Sequence, residues 1–124
     1  MSILVAVPDS PEGIAALAGG VAEANLLGTD LIIINLALKQ LDTSTIPVET
    51  QYKVIDRTGK SDRDPAEAVL DEIKEHDISR LVIGVKRRSP VGKALLGSVS
   101  QRLLLDSPVP VVAVKLRVEG RDEV

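Results

Sequence analysis

The chain has 124 residues, a net charge of −3 and 44% hydrophobic residues, which fits one domain burying roughly two-thirds of the surface its unfolded form exposes. It carries no cysteine, phenylalanine or tryptophan, one histidine and one tyrosine, which excludes disulfides, thiolate metal sites, a cysteine nucleophile and an aromatic platform for single-stranded nucleic acid. The mildly acidic balance argues against nucleic-acid or membrane-surface partners, and MSILVAVPDS lacks the basic n-region and long apolar run of a signal or span, so a cytoplasmic protein is expected.

Ile3 to Val7 is a short, continuously apolar run closed by Pro8-Asp9-Ser10, the pattern of a strand buried on both faces. Ser10 before Pro11-Glu12 predicts a helix start, with Ile14, Leu17, Ala18, Val21 and Ala24 as the buried stripe and Gly28 as the stop. Leu31 to Leu38 is the second apolar strand, interrupted only by Asn35. Lys39 to Glu49 has no helical period and reads as a loop with at most a short helical turn. Gln51 to Asp56 alternates with period two, as an edge strand does.

After the polar stretch RTGKSDR, Asp64-Pro65-Ala66-Glu67 marks a helix start in which Asp64 caps and Glu67 returns a bond; Ala66, Val69, Leu70 and Ile73 form the buried stripe, fading near His76-Asp77. Leu81 to Val85 is the next strand and stops around Gly84. A basic, glycine-containing loop follows, and then a helix opening on Gly97-Ser98, within a segment from Val91 or Leu95 to Leu105 that reads as helical and is stopped by Ser107-Pro108. Val109 to Leu116 is the last strand. Residues 1–118 form a single domain and 119–124 a charged, frayed tail. Strands alternating with helices predict an α/β, doubly wound parallel sheet with right-handed crossovers and helices on both faces.

The carboxyl ends of parallel strands share one rim, where a helix N-terminus offers N–H groups to an anion. Strand, basic loop and helix from Leu81 to Ser100 therefore point to a phosphate-bearing ligand. Gly97-Ser98 serves a phosphate or simply caps a helix. Gly84 allows close approach of a ligand or a tight turn. Lys86, Arg87, Arg88 and Lys93 either clamp phosphates or are solvated surface. Asp9 bonds a sugar or base, or only shapes its turn. Gly92-Lys93 fails as a P-loop, because Arg87 and Ala94 stand where glycine and a hydroxyl residue are needed. His76 falls at the opposite, amino end, and the rim has no general base with an orienting partner, so binding is favoured over catalysis.

Three stretches, ILVAVPDSPEG, DPAEAVLDEIKEHDISRLVIG and GVKRRSPVGKALLGSVSQRLLLDSPVPVVAVK, together resemble the universal stress protein family over nearly the whole chain. The resemblance implies strand order 3-2-1-4-5, a homodimer paired through the last strand, Val109 to Leu116, and membership of either an ATP-binding or a non-binding subclass. The ATP-binding motif is Gly, two residues, Gly, nine residues, Gly, then Ser or Thr. Gly84, Gly97 and Ser98 match it and Arg87 replaces the middle glycine. Pro8 stands where such members have Asp, with Asp9 displaced by one position, and the segment between the second and third strands is short for the helix the family has there. Leu36 corresponds to a position whose backbone contacts adenine.

The expected ligand-binding set is Pro8, Asp9, Ser10, Leu36, Gly84, Lys86, Arg87, Arg88, Gly92, Lys93, Gly97, Ser98 and Val99, with no catalytic residue and no protein-held metal. The expected function is that of a stress-response regulatory protein binding ATP, with Mg2+, or a related adenine nucleotide. A nucleotide-free homodimeric interaction module and a weak ATPase or phosphotransferase are the alternatives.

Overall fold

The computed structural model of the chain describes residues 1–56, 64–88, 93–95 and 97–116. Along it run β1 (Ser2–Val7), α1 (Pro11–Leu27), β2 (Asp30–Asn35), β3 (Tyr52–Asp56), α2 (Pro65–Glu75), β4 (Ile78–Arg88), β5 (Lys93–Leu95), α3 (Ser98–Asp106) and β6 (Val111–Leu116). Five strands pair in parallel in the order β3-β2-β1-β4-β6, the expected 3-2-1-4-5 when the parallel strands alone are counted. β5 is an antiparallel addition to the end of β4.

Period-two alternation sends successive residues of the buried strands to opposite faces. Ile3, Val5 and Val7 of β1 pack with Leu31, Ile33 and Val82 under Ala16, Leu17 and Ala24 of α1. Leu4, Ala6, Ile32, Ile34, Leu81 and Ile83 pack on the other face under Ala66, Val69 and Ile73 of α2 and Leu103 of α3. Both predicted helix starts stand. Ser10 is extended and its hydroxyl accepts from the Gly13 N–H at 3.4 Å, Asp64 accepts from the Ala66 N–H at 3.1 Å, and Gly28, at φ 65°, closes α1 in the left-handed conformation.

Several boundaries and contacts differ from the sequence reading. The buried side of α1 is Gly13, Ala16, Leu17, Gly20 and Ala24, whereas Ile14 is 75% exposed and Ala18 is exposed too. Glycine lets this side press onto the sheet: a Cβ on Gly13 would stand 2.0 Å from the Pro8 carbonyl oxygen, and one on Gly84 would stand 2.1 Å from that of Glu12. The helix therefore turns its glycine side, not its Ile14 side, to the strands.

β2 ends at Asn35 and not at Leu38, because the Asn35 side chain accepts from the Ala37 N–H at 3.0 Å and turns the chain. Residues 36–51 then contain turns and no helix. β4 does not stop at Gly84. Lys86, Arg87 and Arg88 pair with Leu95, Ala94 and Lys93, so β4 runs on into the basic segment; α3 begins at Ser98 with Gly97 as its cap, as the Gly97-Ser98 opening predicts, and not at Val91 or Leu95. Glu67 bonds Arg102. The stretch RTGKSDR, residues 57–63, and the tail from 117 onward lie outside the described residues.

Candidate functional site

Parallel pairing sets Val7 of β1 beside Asn35 of β2, and Val5 beside Val82 of β4, so the ends of β1 and β2 and the Gly84 stretch of β4 share one rim. The strand order reverses between β1 and β4. Ligands of open α/β sheets sit beyond the carboxyl ends at such a switch point. A cavity of about 160 Å³ opens there on the α2/α3 side, floored by Ala6 and Ile83 and walled by Pro8, Leu36, Val99 and Leu103.

Four expected site residues meet in this cavity: Pro8, Leu36, Gly84 and Val99. Gly84 contributes backbone, since its missing Cβ would point at α1 on the other face; the glycine is explained by helix packing. The Leu36 N–H donates to the Val7 carbonyl at 3.0 Å, which draws the start of the 36–51 segment over the end of β1. Among the described lining residues the one side-chain hydroxyl belongs to Ser100. The rest of the described lining is apolar or glycine.

Gly97 and Ser98 are exposed and stand just outside, Gly97 as N-cap of α3 at φ −68° and ψ 169° with open space about its Cα. The N–H groups of this first turn have no partner inside the helix. Lys86 is exposed. Arg87, Arg88 and Lys93 are placed by their backbones in the β4–β5 hairpin; their side chains, and all of Gly92, lie outside the described residues.

Asp9 and Ser10 go elsewhere. They line a second, larger opening of about 820 Å³ on the α1 side of the sheet, where an Asp9 carboxylate oxygen lies 3.2 Å from the Lys39 ammonium and Ser10 caps α1. Pro8 lines both openings. The structure thus divides the expected residues between two sites on opposite faces.

The sequence reading missed the residues that set the cavity walls. Arg102 reaches Asp64 at 2.6 Å, Glu67 at 2.5 Å and Asp106 at 3.3 Å, tying the start of α2 to α3, and its bonds to Glu67 and Asp106 push its pKa further above the ordinary arginine value. Pro65, one residue after Asp64, and Leu103, one after Arg102, both line the cavity. Buried Asn35 donates to the Lys39 carbonyl and to Asp56, each at 2.9 Å, and so anchors the segment that carries Leu36. An arginine among leucines on a short helix, and an asparagine ending an apolar run, were the available signals. His76 bonds Glu72 at 3.0 Å at the amino end of the sheet, far from either opening.

The geometry defines a doubly wound α/β domain with a small, mainly apolar recess at its switch point. Residues 36–115 match the model of the universal stress protein family, and the chain is 36% identical to a universal stress protein of Mycolicibacterium smegmatis, over 91% of this chain and 96% of that one. The chain belongs to the universal stress protein family.

Solved structures share the fold. A universal stress protein in complex with cAMP superposes with a TM-score of 0.68 at 21% identity, covering 94% of this chain and 98% of that one. The universal stress protein from Archaeoglobus fulgidus in complex with dAMP gives 0.58 at 19% identity, covering 93% and 98%. No helix among the described residues is long and apolar enough to cross a membrane.

Proposed function

We propose that this chain is a stress-response regulatory protein that binds an adenine nucleotide with its base in the 160 Å³ recess. The observation that carries this reading is the meeting of Pro8, Leu36, Gly84 and Val99, from four separate segments, around one apolar slot at the switch point. Relatives of the same fold in complex with dAMP and cAMP support the choice of base.

The recess is smaller than the roughly 300–1,000 Å³ of pockets that enclose a drug-sized molecule, so it holds the base alone. Ribose and phosphate then lie outside, toward the first turn of α3 at Gly97-Ser98, with Lys86, Arg87, Arg88 and Lys93 supplying positive charge. The Leu36 N–H bonds the Val7 carbonyl and holds the Leu36 backbone at the recess, where its carbonyl is the acceptor proposed for the exocyclic amine of adenine. Mg2+, if it accompanies ATP, arrives on the phosphates: the described residues hold no cluster of acidic or histidine side chains suited to a metal.

The protein works in the cytoplasm as a homodimer. Among the described residues β6 is an edge strand paired only to β4, with Val112 and Val114 half-buried beside its open backbone, and a second copy would cover that edge. Light scattering at micromolar concentration should return twice the monomer mass; a monomer would remove this part of the reading.

The nucleotide is tested by absorbance. Tyr52 is the sole aromatic side chain, so a co-purified adenine dominates the near-ultraviolet spectrum. Nucleotide released by denaturant, or a melting temperature raised by dAMP, cAMP or Mg-ATP, is the expected result. A bare tyrosine spectrum with no shift on adding any of the three would favour the nucleotide-free dimeric module.

A further inference from the structure

We propose that the 820 Å³ opening between α1 and the segment after β2 is a second small-molecule site, and that its ligand is an organic cation: an aliphatic body bearing one ammonium group.

The opening is large enough to enclose a drug-sized molecule. It exists because the 36–51 segment crosses the α1 face without forming a helix. Leu41 and Ile46 of that segment pack against the core on this face. Ile14, three-quarters exposed, and Ala18 are left uncovered on the helix side, above Val7 and Leu17. The walls are aliphatic, in a chain with no Phe or Trp, so they suit an alkyl body.

Charge at the mouth selects the head group. Asp9 and Lys39 neutralise one another at 3.2 Å. Asp42 also lines the opening, accepts from the Ser44 N–H at 2.9 Å, and is paired with no basic side chain among the described residues. The nearby N-terminus of α1 offers an anion little: Pro11 has no N–H, Gly13 and Ile14 donate to the Ser10 carbonyl, and the one remaining first-turn N–H belongs to Glu12, whose own carboxylate repels an anion. One negative charge is left over. The Thr45 hydroxyl and the Gln40 amide, both on the lining, can accept the remaining ammonium hydrogens.

The test uses three probes with one chain and different heads: octylammonium, octanol and octanoate, followed by methyl chemical shifts of Ile14, Leu17 and Leu41. Octylammonium should give saturable shifts confined to those methyls. It should bind about tenfold tighter than octanoate at low ionic strength, the ratio expected when a single exposed charge a few ångströms away attracts one head and repels the other. Asp42→Asn keeps an acceptor for Ser44, so the loop survives while the preference for ammonium over octanoate falls to within about twofold. Ile14→Gln should weaken all three probes alike. The proposal is overturned if octanoate binds as well as octylammonium, if the shifts fall on Val99 and Leu103 at the other recess, or if no probe saturates. None of these outcomes depends on whether a nucleotide binds.

Discussion

Replacing Gly84 by alanine tests the packing that positions both openings. A Cβ there would lie 2.1 Å from the Glu12 carbonyl oxygen and 2.9 Å from its carbon, both backbone atoms, so no side chain can rotate away. The first turn of α1 has to retreat by roughly 1 Å, in an interior packed as densely as an organic crystal. Overpacking of this kind costs about 1–3 kcal/mol, and contact with backbone rather than with a side chain that can move puts Gly84 at the upper end. Alanine also restricts the unfolded chain, which returns about 0.4–1 kcal/mol. The net loss is about 2 kcal/mol. With an unfolding entropy of about 2.1 cal/mol/K per residue, 1 kcal/mol corresponds to about 4 °C in a chain of this length, so calorimetry should show a fall of about 8 °C. Gly97→Ala is the control: its Cα faces open space at φ −68°, and its cost should stay below about 1 kcal/mol, that of a poorer N-cap. If Gly84→Ala melts within about 2 °C of the parent chain, α1 does not rest on β4 as described.

Asn35→Leu strands the Ala37 N–H, the Lys39 carbonyl and Asp56, and should cost about 1–3 kcal/mol in denaturant unfolding, with amide exchange faster at Ala37 than in β1. Arg102→Ala should loosen α2 from α3 and weaken nucleotide binding at low salt more than at high salt, because the three ion pairs it removes are partly exposed and screened; a salt-independent effect would count against the tie. The Ser44 hydroxyl and N–H hold the Asp42 carboxyl below its ordinary pKa, so its contribution is fully present above that ordinary value and is lost as pH falls through the lower folded one. Chemical shifts of Ser44 should be flat from neutrality to about pH 5, change below about pH 4, and lose that change in Asp42→Asn.

What the sequence made legible was whatever depends on neighbours along the chain. Ile3 to Val7 and Leu81 to Val85 declare strands buried on both faces, and Ser10-Pro11 and Asp64-Pro65 declare helix starts, because burial pattern and capping chemistry are local. Contacts made across the sheet were not legible. Ile14 keeps helical spacing with Leu17 and Ala18, yet it faces outward because Gly13 fits against the Pro8 backbone and Gly20 against Val5 of β1, where a larger residue does not. The run from Leu31 to Leu38 reads as one strand until Asn35 bends it through a bond to its own backbone two residues on.

The candidate site divided in the same way. Leu36, Gly84 and Val99 come together as the rim topology requires. Asp9 and Ser10, adjacent in sequence to Pro8, turn to the opposite face, because Ser10 caps α1 and Asp9 meets Lys39 from the following loop. The basic run after Gly84 reads as a loop by composition. Its backbone instead pairs Lys86 to Arg88 with Lys93 to Leu95, and only the partner strand could have revealed that.

The central claim is that an adenine base occupies the recess beside Val99. Isothermal titration of AMP into the parent chain and into Val99→Trp, whose indole would fill the recess, tests it directly. The account predicts a saturable heat for the parent and none for a variant that keeps the parent's melting temperature. Equal binding by the two proteins would place the nucleotide elsewhere and contradict it.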